Sequence, residues 1–299
     1  MSGSINKFLG PAELSRLNRL TLQSRYVVEG SLAGRRRSPF RGASSEFADH
    51  RAYIAGDDPK RLDWKVLGRT DRYFIRRYED ETNLRVYLVI DRSASMDYGS
   101  GSVTKFEYAV RLAAAIGYVV IRTRDSAGLY LFSEKLNTAI GARNSFAHFS
   151  NMLATLDRAR PAKKTRTAMA LHRIADDIQR RALIVLMSDL LDDPDEIALA
   201  LAHFRRQHHD VIVFHVLDDA ELELPFPRGA EFEDLETGEK IGADPRSMRE
   251  EYRRAFGDFI EKHRQACAQL RVDYRLVNTK RDLDLFVRAY LEERKRFSR

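Results

Sequence analysis

The sequence predicts an α/β fold, a mostly parallel sheet flanked by helices, with a smaller module ahead of it. Three observations carry this expectation. From residue 85 onward, short apolar runs alternate with amphipathic stretches of helical period, the rhythm that builds a parallel sheet covered on both faces. The apolar runs, such as residues 183–187 and 211–216, are strand-sized, far short of the ~20 residues that a membrane-spanning helix needs. The 299 residues are 43% hydrophobic and 32% charged with 8 prolines, enough for a large core and unlike a collagenous or disordered chain.

Taken in order, Pro11, Leu14, Leu17, Leu20 and Val27 read as one amphipathic helix, with Pro11 suited to its first turn and Gly30 and Gly34 as stops. Residues 35–65 are rich in Gly, Ser, Asp and Arg without periodicity, which predicts irregular structure or short strands. Alternation over 73–79 leads into 84–90, a strand or hairpin entering a buried strand with Val86, Leu88 and Ile90 on one face and Tyr87 and Val89 on the other. Helices are expected at about 106–122, 146–156, 168–180 and 196–208. Strands are expected at 127–132, 182–187 and 211–216. Thr104 and Glu107 have capping-box spacing. After Leu217, an acidic segment with Pro225, Pro227, Thr237 and Gly238 breaks the pattern, predicting an insertion at about 218–244 with a small hairpin at Thr237-Gly238. A long helix (245–270), a strand (272–277) and a helix (283–296) complete the chain. The expected division is a basic N-terminal module over 1–84 and a sheet domain over 85–299.

The charge is unevenly spread. Residues 1–84 hold 16 basic and 11 acidic residues, a net of +5, against +2 for the remainder. The stretch 218–240 carries nine acidic residues against Arg228 and Lys240, a net of −7. Nucleic-acid binding by the arginines of 35–77 is one reading of the basic excess, but it requires them gathered on one face with aromatic side chains between them, and the runs Arg35-Arg36-Arg37 and Arg76-Arg77 do not by themselves establish that. Docking surfaces for proteins account better for poles of both signs, and nucleic acid is not the expected partner. Cys267 is the single cysteine, which excludes an internal disulfide and a cysteine-built metal cluster. The segment MSGSINKFLG lacks the basic and apolar regions of a signal peptide, so the expected location is the cytoplasm.

The string Val89-Ile90-Asp91-Arg92-Ser93-Ala94-Ser95-Met96 falls at the C-terminal end of the first central strand, where ligands of open sheets bind. A carboxylate followed by two hydroxyls at alternate positions offers hard oxygen donors to a cation such as Mg²⁺. Thr165-Arg166-Thr167 precedes a helix and Ser188-Asp189-Leu190 ends a strand, so three loops at one sheet edge would contribute.

At these residues the chain resembles the von Willebrand factor A family, whose metal-ion-dependent adhesion site combines Asp-x-Ser-x-Ser with a Thr and an Asp from two further loops. The resemblance implies a Rossmann-type α/β fold and a metal set of Asp91, Ser93, Ser95, Thr165 and Asp189. Thr165 is chosen because it stands six residues before Leu171, with Thr167 as the alternative. Mg²⁺, or Mn²⁺ or Ca²⁺, is the implied ion, completed by a partner's acidic side chain. Upstream, Ser38-Pro39-Phe40-Arg41-Gly42, Phe47, Arg51-x-Tyr53-x-x-Gly56-Asp57-Asp58-Pro59-x-Arg61, Asp63-Trp64 and Arg76-x-Tyr78-Glu79, with Asp234-Leu235-Glu236-Thr237-Gly238-Glu239 later, resemble bacterial domain-of-unknown-function family number fifty-eight over about 38–291. Members are typically encoded beside MoxR-type AAA+ ATPases. That resemblance implies a non-enzymatic adaptor binding such an ATPase or a client protein.

Other features receive plainer readings. Asp91, Ser93 and Ser95 could instead cap backbone N–H groups. Asp57, Asp58 and Asp63 are read as turn residues near arginines, since charged neighbours keep carboxylates ionised and unfit as general acids. The run 99–105 lacks the Gly-Lys-Ser/Thr ending of a phosphate loop and is read as a loop over the metal. His208-His209 is read as a surface turn and Cys267 as a small buried hydrophobe. A metal-dependent hydrolase using Asp91 and Asp189 is the last alternative, because no His, Glu or Lys on a matching loop supplies a general base.

Overall fold

A computed structural model describes residues 5–18, 20, 22, 46–54, 62–79, 84–134, 136–162, 166–226, 230–233, 235 and 240–297. The chain divides into two compact units, residues 1–26 with 84–299, and residues 27–83. The residues expected as one module over 1–84 are divided between these units, the first helix packing against helices of the sheet unit. Helix α1 (Pro11–Leu17) buries Leu17, and the flanking Leu9, Leu20 and Leu22 are buried too. Arg111 fastens it by donating to Glu13 at 3.0 Å and to the Phe8 carbonyl at 3.2 Å.

In the unit over 27–83, β1 (Glu46–Ala52) pairs antiparallel with β2 (Phe74–Glu79), with a bulge between Phe47 and Asp49. Helix α2 (Trp64–Thr70) connects them, and the Asp63 carboxylate caps it by accepting from Val66 N at 3.2 Å. Asp63 thus serves as a helix cap; Asp57 and Asp58 lie outside the described residues. Strand β2 pairs with β1 and not with the strand that follows it.

The sheet unit runs β3 (Arg85–Asp91), α3 (Lys105–Arg122), β4 (Ser126–Phe132), β5 (Leu136–Arg143), α4 (Phe146–Arg158), α5 (Thr167–Asp177), β6 (Leu183–Ser188), α6 (Pro194–Arg206), β7 (Asp210–Leu217), α7 (Asp219–Glu223), β8 (Ala230–Glu233), β9 (Lys240–Ala243), α8 (Pro245–Gln269), β10 (Asp273–Asn278) and α9 (Leu283–Phe297). The six-stranded order is β10-β7-β6-β3-β4-β5, parallel throughout except for β5. This is the predicted α/β architecture. Because β3, β6 and β7 are buried on both faces, they read as continuous apolar runs. Val89, Ile184, Leu186 and Val213 pack with Leu171, Ile174, Ile197, Phe204 and Cys267, which places α5, α6 and α8 on one face. Helix α3 packs against the other face between α4, α9 and α1. Thr104 and Glu107 form the predicted capping box at its start. The insertion contains β8 and β9 as an antiparallel pair with Glu233 opposite Lys240; Thr237 and Gly238 lie outside the described residues. Among the described residues, no helix is long and apolar enough to cross a membrane.

Candidate functional site

Parallel pairing sets Ile90 of β3 level with Met187 of β6, so Asp91 and Ser188 leave the sheet side by side at its C-terminal edge. Asp91 is buried. One carboxylate oxygen accepts from Ser93 N at 2.8 Å and the other from the Ser188 hydroxyl at 2.6 Å. The hydroxyls of Ser93 and Ser95 lie 2.9 Å apart, at the start of a short 3₁₀ turn. Burial, and next the charge of Asp189, push the Asp91 carboxyl up to about 7. Asp91 thus caps its own loop, as the plainer reading required.

The third loop is held from several sides. Leu190 is fully buried with φ of 51°, a left-handed conformation that bulky side chains rarely adopt and that costs about 1–3 kcal/mol. Its N–H donates to the Ser188 hydroxyl at 3.0 Å. His215 of β7 donates from Nε2 to the Asp189 carbonyl at 2.7 Å and accepts at Nδ1 from the Tyr274 hydroxyl at 2.6 Å. Burial pushes His215 down to about 3, so the ring is neutral and this tautomer is fixed by its partners.

Sequence reasoning missed the cation of this edge. Lys105, fully buried at the first position of α3, donates to Asp189 at 2.8 Å and to Glu221 of α7 at 2.6 Å. Burial opposes its charge, but Asp189 and Glu221 outweigh it and hold the ammonium above its usual range. Glu221 also accepts from Asp218 N at 2.8 Å, closing the capping box of α7. The signal was available: a lysine in the first turn opposes the helix dipole, so it needs nearby anions. Ser188, although part of the Ser188-Asp189-Leu190 string, was likewise not placed among the site residues.

Thr165 lies outside the described residues. The residues on either side are tied to the other two loops, Ala162 N donating to the Arg92 carbonyl at 2.7 Å and Ala168 N to Asp192 at 3.5 Å. Thr167 is buried at the start of α5. In the run over the edge, the Ser100 backbone and hydroxyl donate to Asp218. The turn expected at His208-His209 is not all surface: His209 is buried and accepts from Ala182 N at 3.2 Å. Cys267 is buried as expected.

The two sheet edges differ in charge balance. At the N-terminal edge, Asp210 and Asp273 face Arg294 at 2.9 and 2.7 Å, with Arg205 and Arg275 also in reach. At the C-terminal edge, Asp189 and Glu221 share Lys105, and Asp91 is held by the Ser93 N–H and the Ser188 hydroxyl. The donors offered there, Asp91, Ser93, Ser95 and Asp189, are hard oxygens that fit a small divalent cation keeping several waters. Among the described residues, no three of His, Cys, Asp and Glu converge as a metal cluster, so such an ion would depend on the hydroxyls as well as the carboxylates.

Residues 49–266 match the family described as "Protein of unknown function DUF58". The uncharacterized protein Rv1480 of Mycobacterium tuberculosis is 30% identical over 250 residues, covering 82% of this chain and 78% of that protein. The uncharacterized protein Mb1516 of Mycobacterium bovis matches to the same extent. Among solved structures, BatB from Bacteroides thetaiotaomicron aligns with 71% of this chain and 99% of its own at 15% identity and a TM-score of 0.46. The SpRpn10 VWA domain aligns with 70% of this chain and 95% of its own at 11% identity and 0.43. With a family match across most of its length, the chain belongs to the DUF58 family.

Proposed function

We propose that this protein is a non-enzymatic adaptor that binds a protein partner through a divalent cation at the C-terminal sheet edge. The observation that carries the reading is the convergence of oxygen donors there: Asp189 shares Lys105 with Glu221, and Asp91 stands beside the hydroxyls of Ser188 and of the Ser93–Ser95 pair. Asp91, Ser93, Ser95 and Asp189, with Thr165 from the second loop, would hold Mg²⁺, or Mn²⁺ or Ca²⁺. The ion would supply an electrophilic point for an acidic side chain of the partner. What the chain itself contributes is positioning. Ser188 orients Asp91, His215 and the left-handed Leu190 fix the Asp189 loop, and Lys105 tempers the charge of Asp189. By family resemblance the partner is a MoxR-type AAA+ ATPase or a client that it matures, in the bacterial cytoplasm.

Calorimetric titration with Mg²⁺ and co-purification with the ATPase test both halves. Wild type should bind Mg²⁺ and retain the ATPase, and Asp91→Ala should weaken Mg²⁺ binding by about tenfold or more, since a ligand carboxylate is lost. Absence of Mg²⁺ binding by wild type, or equal affinity in Asp91→Ala, overturns the metal reading; an ATPase that never co-purifies overturns the partner.

A further inference from the structure

Adjoining the metal edge, with Ser95 on their common border, lies a cavity of about 680 Å³ whose apolar part that role does not use. Its apolar walls come from Leu191, Leu224, Phe226, Phe232 and Leu235, with Tyr98 and Tyr252 completing them. The walls are built in advance. Phe226 and Phe232 meet edge to face at 5.5 Å, the Tyr252 hydroxyl donates to the Glu221 carbonyl at 2.8 Å, and Arg249 donates to the Leu224 carbonyl at 3.0 Å. A preformed apolar hollow of this size holds one or two large side chains.

Among the described residues, the charged ones in the lining are Glu221, Glu231 and Glu233. Glu221 is engaged by Lys105 behind the wall. Glu231 and Glu233 share Lys240, at 2.8 and 3.7 Å, so among the described residues the outer rim keeps a negative excess. The surrounding segment 218–240 carries a net charge of −7. An apolar hollow with an acidic rim complements an apolar side chain flanked by cations, since burial supplies the affinity and the rim charges select the neighbours.

We propose that this cavity is a second protein-binding site, which takes a partner segment presenting large apolar residues beside Lys or Arg. It acts independently of any ion at Asp91. The test uses the full chain in EDTA and a fluorescein-labelled peptide of sequence Gly-Lys-Phe-Leu-Lys-Gly, followed by anisotropy. Saturable binding is expected, weakened by about tenfold or more when Phe and Leu of the peptide become Ser, as loss of a buried aromatic anchor does. Replacing both lysines of the peptide by Glu should weaken binding about fivefold or more and remove its salt dependence. On the protein, Phe232→Ser and the charge reversal Glu231→Lys should each weaken binding, and the wild-type affinity in EDTA should equal that in millimolar Mg²⁺. Glu231 is exposed and its pair with Lys240 is a surface one, so its reversal reports on recognition at little cost to the fold. No saturable binding, equal binding of the Glu-flanked peptide, or unchanged affinity in both protein variants overturns the proposal. Binding that requires Mg²⁺ would also overturn it, reassigning the peptide to the metal edge.

Discussion

Lys105 carries a full charge with no exposure to water, and its two anions come from segments 84 and 116 residues further along the chain. Such a group is tolerated only because both partners are within hydrogen-bond distance. Replacing it by methionine leaves Asp189 and Glu221 buried without a cation, a change that costs about 3–5 kcal/mol. Urea unfolding of Lys105→Met should register a loss of that order, and millimolar Mg²⁺ should recover part of it. A variant as stable as wild type in EDTA would refute the role given to this ammonium. The residues that sequence could find, Asp91, Ser93, Ser95 and Asp189, announce themselves by local spacing at strand ends. Lys105, Ser188 and Glu221 act through partners distant in sequence. Only the conflict between a lysine and the start of a helix hinted at the first of them.

Among elements, the buried strands were legible because burial on both faces demands mostly apolar residues, as in Leu183–Ser188 and Asp210–Leu217. Strand β5 was not. It lies at the sheet edge, pairs only with β4, and alternates half-buried with exposed positions in a sequence, LNTAIGAR, without an apolar run. Its register depends on Gly128 of β4: a Cβ there would stand 2.6 Å from the Tyr87 ring and 2.8 Å from the Ile140 carbonyl. The carbonyl is backbone and cannot rotate away. Gly128→Ala should therefore part β4 from β5 and cost about 1–3 kcal/mol, visible as a lowered thermal midpoint. Helix α1 is shorter than its periodicity suggested. Leu20 is buried after a turn in which its N–H bonds the Leu17 carbonyl at 3.1 Å, so the same apolar spacing is satisfied without continuing the helix.

For the molecule as a whole, buried titratable groups of opposite tendency set the response to acid. Burial pushes Asp125 up to about 6, despite its bond from Leu84 N, and pushes His263 down to about 4 and His215 to about 3. A raised carboxyl binds its proton more tightly in the folded state, so Asp125 adds stability as pH falls from 6 towards 4 and loses it on the way back. The depressed histidines act oppositely, being protonated first in the unfolded chain, so they remove stability as pH falls below 6.5. Urea unfolding between pH 7 and 4 should show a shallower acid decline in His215→Gln and a steeper one in Asp125→Asn; parallel curves for the two variants would contradict these assignments. The insertion after β7 has a different consequence. It leaves the sheet after Leu217 and returns through α8, with its base stitched by Tyr252 and Arg249, so one crossover carries the whole acidic cap. Glu221 of this crossover reaches down to Lys105, which also holds Asp189, so cap and sheet edge are joined by one buried cation. A change at that point of the cap is therefore transmitted to the edge beneath it.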